Sequence, residues 1–409
     1  NNTPVVVIFA PIIKHWAKSV NLPATKFLIP LSYVTILGGI CTLIGTSTNL
    51  VVHGMILEAG FEGFSMFELG KVGIFIAIAG IIYIFLFSKR LLPDARPDTA
   101  VPDEEVEEGE KLHRVEAVLG ARFPGINKKL KDFNFQRHYG AEVKEIKTRN
   151  GQRFVSNLEE VVLHEGDTLV VMADDTFIPT WGESSVFVLL TNGNEPDTTG
   201  KKKKRWFALL LLVLMIVGAT VGELPITKEM FPDIKLDMFF FVSITTIIMA
   251  WTNLFPARKY TKYISWDILI TIACAFAISK AMVNSGVADS VAKFIIGLSD
   301  DYGPHVLLAM VFIITNLFTE LITNNAAAAL AFPLALSISA QLGVSPTPFF
   351  VVICMAASAS FSTPIGYQTN LIVQGIGNYK FTDFVRIGLP LNIITFLISI
   401  ILIPLIWNF

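Results

Sequence analysis

The sequence predicts an all-α polytopic membrane protein made of two inverted repeats, each with a re-entrant hairpin and a broken helix, with a small cytoplasmic α+β domain between them. Three observations lead there: nearly charge-free stretches longer than a soluble core needs, polar breaks that recur inside them at matched spacing, and one polar block bounded by basic clusters.

Of the 409 residues 53% are hydrophobic and 16% charged, against about 25% charged in soluble domains. That composition argues against a soluble enzyme, and no nucleophile–base pair or metal cluster supports one. The formal net charge of −2 gives no case for nucleic acid as a partner. Cys41, Cys274 and Cys354 sit in apolar runs without disulfide or metal spacing.

The chain opens at Asn1-Asn2-Thr3-Pro4, which reads as a start inside a structural element. A spanning helix needs roughly 20 mostly apolar residues. Candidates are Phe27–Leu57, Val72–Phe87, Trp206–Val221, Met238–Ala257, Ile268–Ser279 with flanks, Tyr302–Thr319, the tract Leu321–Tyr379 and Ile387–Trp407. Phe27–Leu57 is uncharged for 31 residues but interrupted at Gly45-Thr46-Ser47-Thr48-Asn49. Leu321–Tyr379 is uncharged for 59 residues and interrupted at Thr323-Asn324-Asn325 and again between Ser362 and Asn370. Irregular backbone at membrane depth survives only where it is buried in protein or lines a cavity, so these breaks mark the functional centre.

Lys and Arg set the orientation. Lys89-Arg90 and the run Lys201–Arg205 enclose the polar block and place it in the cytoplasm. Lys14, Lys18, Lys26, Arg258, Lys259, Lys262, Lys380 and Arg386 fall on the same side, whereas Asp300-Asp301 and the C-terminus fall outside. The expected division is residues 1–90 for the first transmembrane repeat, 91–111 for an acidic linker, 112–195 for the cytoplasmic domain, 196–205 for a basic linker and 206–409 for the second repeat. The linker carries eight acids against Arg96 between residues 94 and 110, with prolines at 93, 97 and 102, and reads as a solvated spacer. Beyond it, Val115–Val118, Ala141–Ile146, Thr168–Met172 and Val186–Leu190 read as short strands between turn signals.

Self-similarity links the two halves. Asn49-Leu50-Val51-Val52-His53-Gly54-Met55 matches Asn370-Leu371-Ile372-Val373-Gln374-Gly375-Ile376, and Asn1-Asn2 matches Asn324-Asn325. The two pairs of sites are 47 and 45 residues apart. The first Asn-Asn pair leads towards cytoplasmic Lys14, and the second lies between spans whose loops face outward. The repeats are therefore inverted, as in an inverted-repeat transporter working by alternating access around a midplane site. The second repeat has 118 residues before its Asn-Asn pair, so symmetry leads one to expect a comparable stretch, including an ascending hairpin arm, ahead of Asn1.

At each break a half-helix begins in the protein centre, and its free N–H groups attract an anion without a buried Lys or Arg. Unwound carbonyls and Asn, Ser and Thr oxygens suit a hard cation such as Na⁺. The hairpin tips Asn1-Asn2-Thr3 and Thr323-Asn324-Asn325, with the Gly-Thr-Ser-Thr-Asn and Ser-Thr-Pro…Thr-Asn breaks, resemble the divalent anion:sodium symporters of the ion-transporter superfamily. The resemblance covers residues 1–90 and 206–409. It implies that Asn2, Thr3, Asn325, Ala326, Thr363 and Pro364 face a small anionic substrate, sulfate or a dicarboxylate. It also implies one Na⁺ site at Asn1, Gly45, Ser47 and Asn49 and another at Thr323, Asn324, Asn325 and Asn370. An elevator-like motion, a homodimer and a bacterial inner-membrane location follow from the same resemblance. Carriers of dicarboxylates in this family usually show Ser-Asn-Thr at both tips, so Ala326 removes one hydroxyl here. Residues 112–195 resemble the C-terminal ligand-binding domain of potassium-conductance regulators (TrkA-C type), notably at Leu130-Lys131-Asp132-Phe133 and Gly166-Asp167-Thr168-Leu169. That implies an unidentified small-molecule ligand for the cytoplasmic domain.

Glu320, three residues before the second tip, is a candidate proton relay or cation ligand, since ionisable groups at membrane depth are functional by default. The competing role is a helix-end carboxylate bonded within the fold. His53, matched by Gln374, reads as packing, Lys280 as snorkelling, and Trp266-Asp267 as an interface anchor. Two alternatives remain: a cation/proton antiporter or arsenite-type efflux carrier on the same scaffold, and a potassium-linked channel or sensor. The antiporter would be expected to carry Asp at a tip or break, and the channel lacks a carbonyl-ring filter.

Overall fold

The computed structural model describes residues 2–94, 112–120, 122–148, 152–174, 177–181, 186–191, 202–222, 227, 230, 236, 238–252, 254, 266–297 and 303–409. The first transmembrane part contains α1 (Asn2–Ser19), α2 (Leu28–Gly39), α3 (Ser47–Glu58) and α4 (Gly70–Leu91). The second contains α7 (Lys202–Gly222), α8 (Met238–Trp251), α9 (Trp266–Asn284), α10 (Val287–Gly297), α11 (Gly303–Leu321), α12 (Asn324–Leu342), α13 (Thr347–Ser358), α14 (Gln368–Gly377) and α15 (Phe381–Ile406). Helices α4, α11, α12 and α15 are each long and apolar enough to cross a membrane. Helices α2 and α3, and likewise α13 and α14, reach that length only as pairs joined across a break. Residues 95–111 of the expected acidic linker lie outside the described residues, as does Asn1.

The breaks are kept open by glycine. A Cβ on Gly45 would overlap the carbonyl of Gly39, and one on Gly366 would overlap Ser360 Oγ. The two glycines hold the same place, four residues before Asn49 and Asn370. The chain folds back on itself there more closely than any side chain allows.

Packing is exchanged between the repeats. Helix α1 packs on α14, and α12 on α3; α2 packs on α14, and α13 on α3; α2 packs on α4, and α13 on α15. Each contact maps onto its partner when α1–α4 are swapped with α12–α15, and α4 packs directly on α15. The apolar core between them is built by residues such as Tyr33, Ile36, Val52, Phe349, Phe350, Phe361 and Leu391, all buried.

Lys26, Lys89 and Arg90 meet at one end. Lys26 Nζ donates to Lys89 O (2.9 Å) and Leu92 O (2.5 Å), tying the α1–α2 turn to the C-terminus of α4. Lys89 and Arg90 sit in the last turn of α4, where cations complement the helix dipole. The Tyr379 hydroxyl, just past α14, donates to Thr25 O at the same end.

The α+β domain contains β1 (His113–Leu119), α5 (Phe135–Tyr139), β2 (Glu142–Lys147), β3 (Arg153–Phe154), β4 (Thr168–Ala173), α6 (Phe177–Trp181) and β5 (Phe187–Thr191). They form one antiparallel sheet in the order β3-β2-β4-β1-β5. The expected strands recur as β1, β2, β4 and β5, whereas β3 is two residues long and leaves no alternation to read. Its separate core gathers Val115, Ala117, Leu169 and Val171 with Phe123, Phe133, Phe135 and Tyr139.

Candidate functional site

Each broken helix restarts with a polar turn, and each restart faces the tip of the other repeat. Asn2, at the start of α1 and 3% exposed, donates from Nδ2 to the Tyr367 hydroxyl at 2.6 Å. Thr3 Oγ1 donates to Gln368 Oε1 at 3.2 Å. Across the centre, Asn325 Oδ1 accepts from Ser47 Oγ and from Thr48 Oγ1, both at 3.2 Å. Thr46 Oγ1 lies 2.9 Å from Tyr367 Oη and joins the two halves. Asn324 Oδ1 accepts from Thr319 Oγ1 at 3.2 Å. The N-termini of α1, α3, α12 and α14 therefore converge on one neutral patch, and no Lys or Arg takes part in its described hydrogen bonds.

The asparagines of the breaks share one device. Asn49 Nδ2 donates to Thr42 O (3.0 Å) and Asn370 Nδ2 to Thr363 O (3.2 Å), seven residues back in each case. They differ at the other atoms. Asn370 also donates to Ser360 O at 3.0 Å and accepts from Ser32 Oγ at 2.7 Å, so both its amide nitrogen and its amide oxygen have partners. Asn49 Oδ1 is buried with no hydrogen-bond partner. A buried carbonyl-type oxygen with free lone pairs, beside a glycine-walled turn, suits a hard cation with oxygen ligands. Among the described residues no group of three His, Cys, Asp or Glu side chains is placed to hold a metal, so a cation here would be held by neutral oxygens.

A second cluster surrounds Glu320. Its Oε1 accepts from the Ser362 backbone N–H (2.9 Å) and from Asn392 Nδ2 (2.7 Å), and its backbone carbonyl accepts from Thr363 Oγ1 (3.1 Å). Glu320 Oε2 and Asn392 Oδ1 are buried without a hydrogen-bond partner. The carboxylate thus joins the end of α11, the second break and the middle of α15.

Of the expected site residues, Asn2, Thr3, Ser47 and Asn325 are drawn together by these bonds. Gly45 is half-buried in the first break, and Ala326 is half-buried one residue past Asn325. Thr363 and Pro364 lie on the Glu320 side, with Pro364 buried, and Thr323 is exposed at the tip. Asn1 lies outside the described residues. The side-chain bonds run from each tip to the break of the other repeat, whereas the expected cation sites pair each tip with its own break. His53 Nδ1 accepts from the Phe64 backbone N–H at 3.0 Å, a structural bond. Tyr367, Thr46, Ser32 and Asn392 were not singled out from the sequence. Tyr367 lies within a break, a signal that could have found it; Asn392 is the one amide in the apolar run of α15.

In the α+β domain, a cavity of about 680 Å³ is lined by Leu130, Lys131, Phe133, Glu142, Val143 and Glu160, among others.

Residues 1–340, and again 234–409, match the profile of a family described as citrate transporters. An uncharacterized transporter of Synechocystis is 30% identical over 100% of this chain and 80% of its own length. Sodium/sulfate cotransporter 2 of Chlamydomonas reinhardtii is 32% identical over 69% of this chain and 31% of its own. Human solute carrier family 13 member 4 is 25% identical over 38% of this chain and 24% of its own.

Proposed function

The chain belongs to the citrate transporter family of multi-pass membrane proteins, and on that footing we propose that it is a sodium-coupled symporter of a small divalent oxyanion, sulfate before dicarboxylates. The observation that carries this is the convergence of four helix N-termini on a neutral patch. Such a patch meets an anion with oriented N–H groups, and a co-bound cation supplies the remaining positive charge. The Chlamydomonas relatives, named as sodium/sulfate cotransporters, favour sulfate and sodium, and Ala326 provides no hydroxyl where Thr3 provides one.

Na⁺ would be held at the first break, by Asn49 Oδ1 with the Gly45 turn and Ser47. It supplies charge that makes anion binding depend on the cation. Asn2, Thr3, Asn325 and the N–H groups after each break would orient the oxyanion. At the second break Asn370 Oδ1 already accepts from Ser32 Oγ, whereas Asn49 Oδ1 has no such partner, so the first break takes precedence as the cation site. In this reading the exchanged packing of α1–α4 and α12–α15 reflects inverted repeats that alternate access by an elevator-like shift in a homodimer. The basic end and the α+β domain face the cytoplasm of the cell's plasma membrane, the C-terminus faces outside, and the TrkA-C-like domain takes a small ligand.

A second reading, a cation/proton antiporter, draws on the unpartnered Glu320 Oε2. Equilibrium binding separates them. The symporter binds ³⁵S-sulfate only with Na⁺ present, and the antiporter shows no sulfate binding at any Na⁺ concentration.

A further inference from the structure

The α+β domain is docked on two of the helices that build the site. Lys14, in the last third of α1, reaches Glu116 of β1 with Nζ 3.0 and 3.1 Å from the two carboxylate oxygens. Glu116 is also 3.6 Å from Lys147 of β2, which with Arg114 and Arg153 surrounds the buried Glu145. The second contact is steric. A Cβ added to Gly166, in the turn before β4, would stand 3.0 Å from Leu371 Cδ2 of α14. A Cβ on Gly375 of α14 would collide with Thr168 Oγ1 of β4. Strand β5 packs on α1 as well, and Val118 of β1 is buried in the transmembrane core cluster.

Lys14 lies twelve residues after Asn2, about 18 Å along α1, and Gly375 lies five residues after Asn370, about 7.5 Å along α14. The same two helices are tied together at their other ends by the Asn2–Tyr367 and Thr3–Gln368 bonds. Side chains of the site hold one end of the pair, and the α+β domain holds the other.

We propose that the α+β domain is a clamp on α1 and α14 whose docked state is the state in which the site is assembled, so that docking and occupation of the site favour each other. This rests on the site reading given above. Reciprocity is thermodynamic: whatever the site gains in affinity from the docked domain, the docked domain gains in stability from the occupied site. Strand β2 gives the clamp an input. Glu142 and Val143 line the cavity, Glu145 and Lys147 belong to the charge network around Glu116, and the register shifts between them. A ligand seated in the cavity therefore acts on the strand that supports the Lys14 contact.

The test is a disulfide across the interface, Thr168→Cys with Gly375→Cys. The two Cβ positions are 3.8 Å apart, the mean separation in disulfides. Oxidation is followed in the membrane-embedded protein with and without Na⁺ and sulfate, with each single-cysteine variant as control. The clamp predicts that Na⁺ with sulfate raises the rate of disulfide formation about fivefold or more. It also predicts that the oxidised protein binds sulfate more tightly than the reduced one by a similar factor, and that Lys14→Glu weakens sulfate binding while the protein still folds by size-exclusion profile. No disulfide, or a disulfide that forms equally with and without Na⁺ and sulfate, overturns the clamp. If the wild type binds no sulfate, the substrate reading falls alone; the clamp is then judged by Na⁺, which must still accelerate the disulfide.

Discussion

Thr46 and Tyr367 are 321 residues apart, hold the same position in the two repeats, and place their side-chain oxygens 2.9 Å from each other. Two equivalent residues touch only on the axis that relates the repeats. The axis therefore passes through the neutral patch, between the Asn2 contact on one side and the Asn325 contacts on the other. The candidate site is the seam of the repeats, shared by both.

Tyr367→Phe tests that seam. The substitution keeps the ring and removes the hydroxyl that meets Asn2 and Thr46. Leaving buried polar groups unpaired costs about 1–3 kcal/mol, roughly 5- to 150-fold in affinity. Sulfate binding should fall within that range at unchanged expression, and Thr46→Val should fall less, since it loses one bond.

Asn49 and Asn370 should separate although the repeats match them. Asn49→Ala removes the unpartnered oxygen and one bond, to Thr42 O, and is expected to raise the Na⁺ concentration for half-maximal binding about tenfold, with a smaller loss of thermal stability than Asn370→Ala. Asn370→Ala breaks bonds to Ser360, Thr363 and Ser32 and is expected to lower the thermal midpoint instead. Na⁺ titrations and melting curves of both variants check the split.

At Glu320, Gln keeps an acceptor for Ser362 N–H and Asn392, whereas Ala removes it. Sodium-dependent uptake should therefore survive Glu320→Gln within about threefold, while Glu320→Ala destabilises the protein by about 1–3 kcal/mol. Uptake and melting of the two variants distinguish a bonding carboxylate from a titrating one.

The positions of the breaks are legible in the sequence because a run of adjacent polar and glycine residues at membrane depth is tolerated only where the backbone is buried in protein or lines a cavity. The pairing across the seam is not, because a repeat shows which residues are equivalent but not which copy's break faces which tip. Tyr367 carries a large ring that reads as core, and its hydroxyl matters only because Asn2 lies beyond hundreds of intervening residues. Asn392 shows in the sequence as one amide in an apolar helix, and only the fold brings Glu320 to it. The docking of the α+β domain rests on Gly166, Gly375 and Glu116, residues that individually read as turn, helix and solvated charge.

Glu116 gives the interface a pH signature. Burial pushes its carboxyl up, but Lys14 and Lys147 outweigh that, with Arg114 adding to them, and hold it at about 2. A lowered carboxyl contributes stability above its unfolded value and loses it as pH falls towards the folded one. The difference in thermal midpoint between wild type and Glu116→Gln should stay constant from about pH 6 to 8 and shrink only below about pH 4.

Transport is the most direct test. In proteoliposomes holding the intact protein, ³⁵S-sulfate uptake is followed with an inward Na⁺ gradient, an inward H⁺ gradient or neither, for wild type and Asn325→Ala. Uptake driven by Na⁺ and lost in Asn325→Ala is the predicted result. No uptake under any gradient, with Na⁺/H⁺ exchange that disappears in Glu320→Gln, would contradict it.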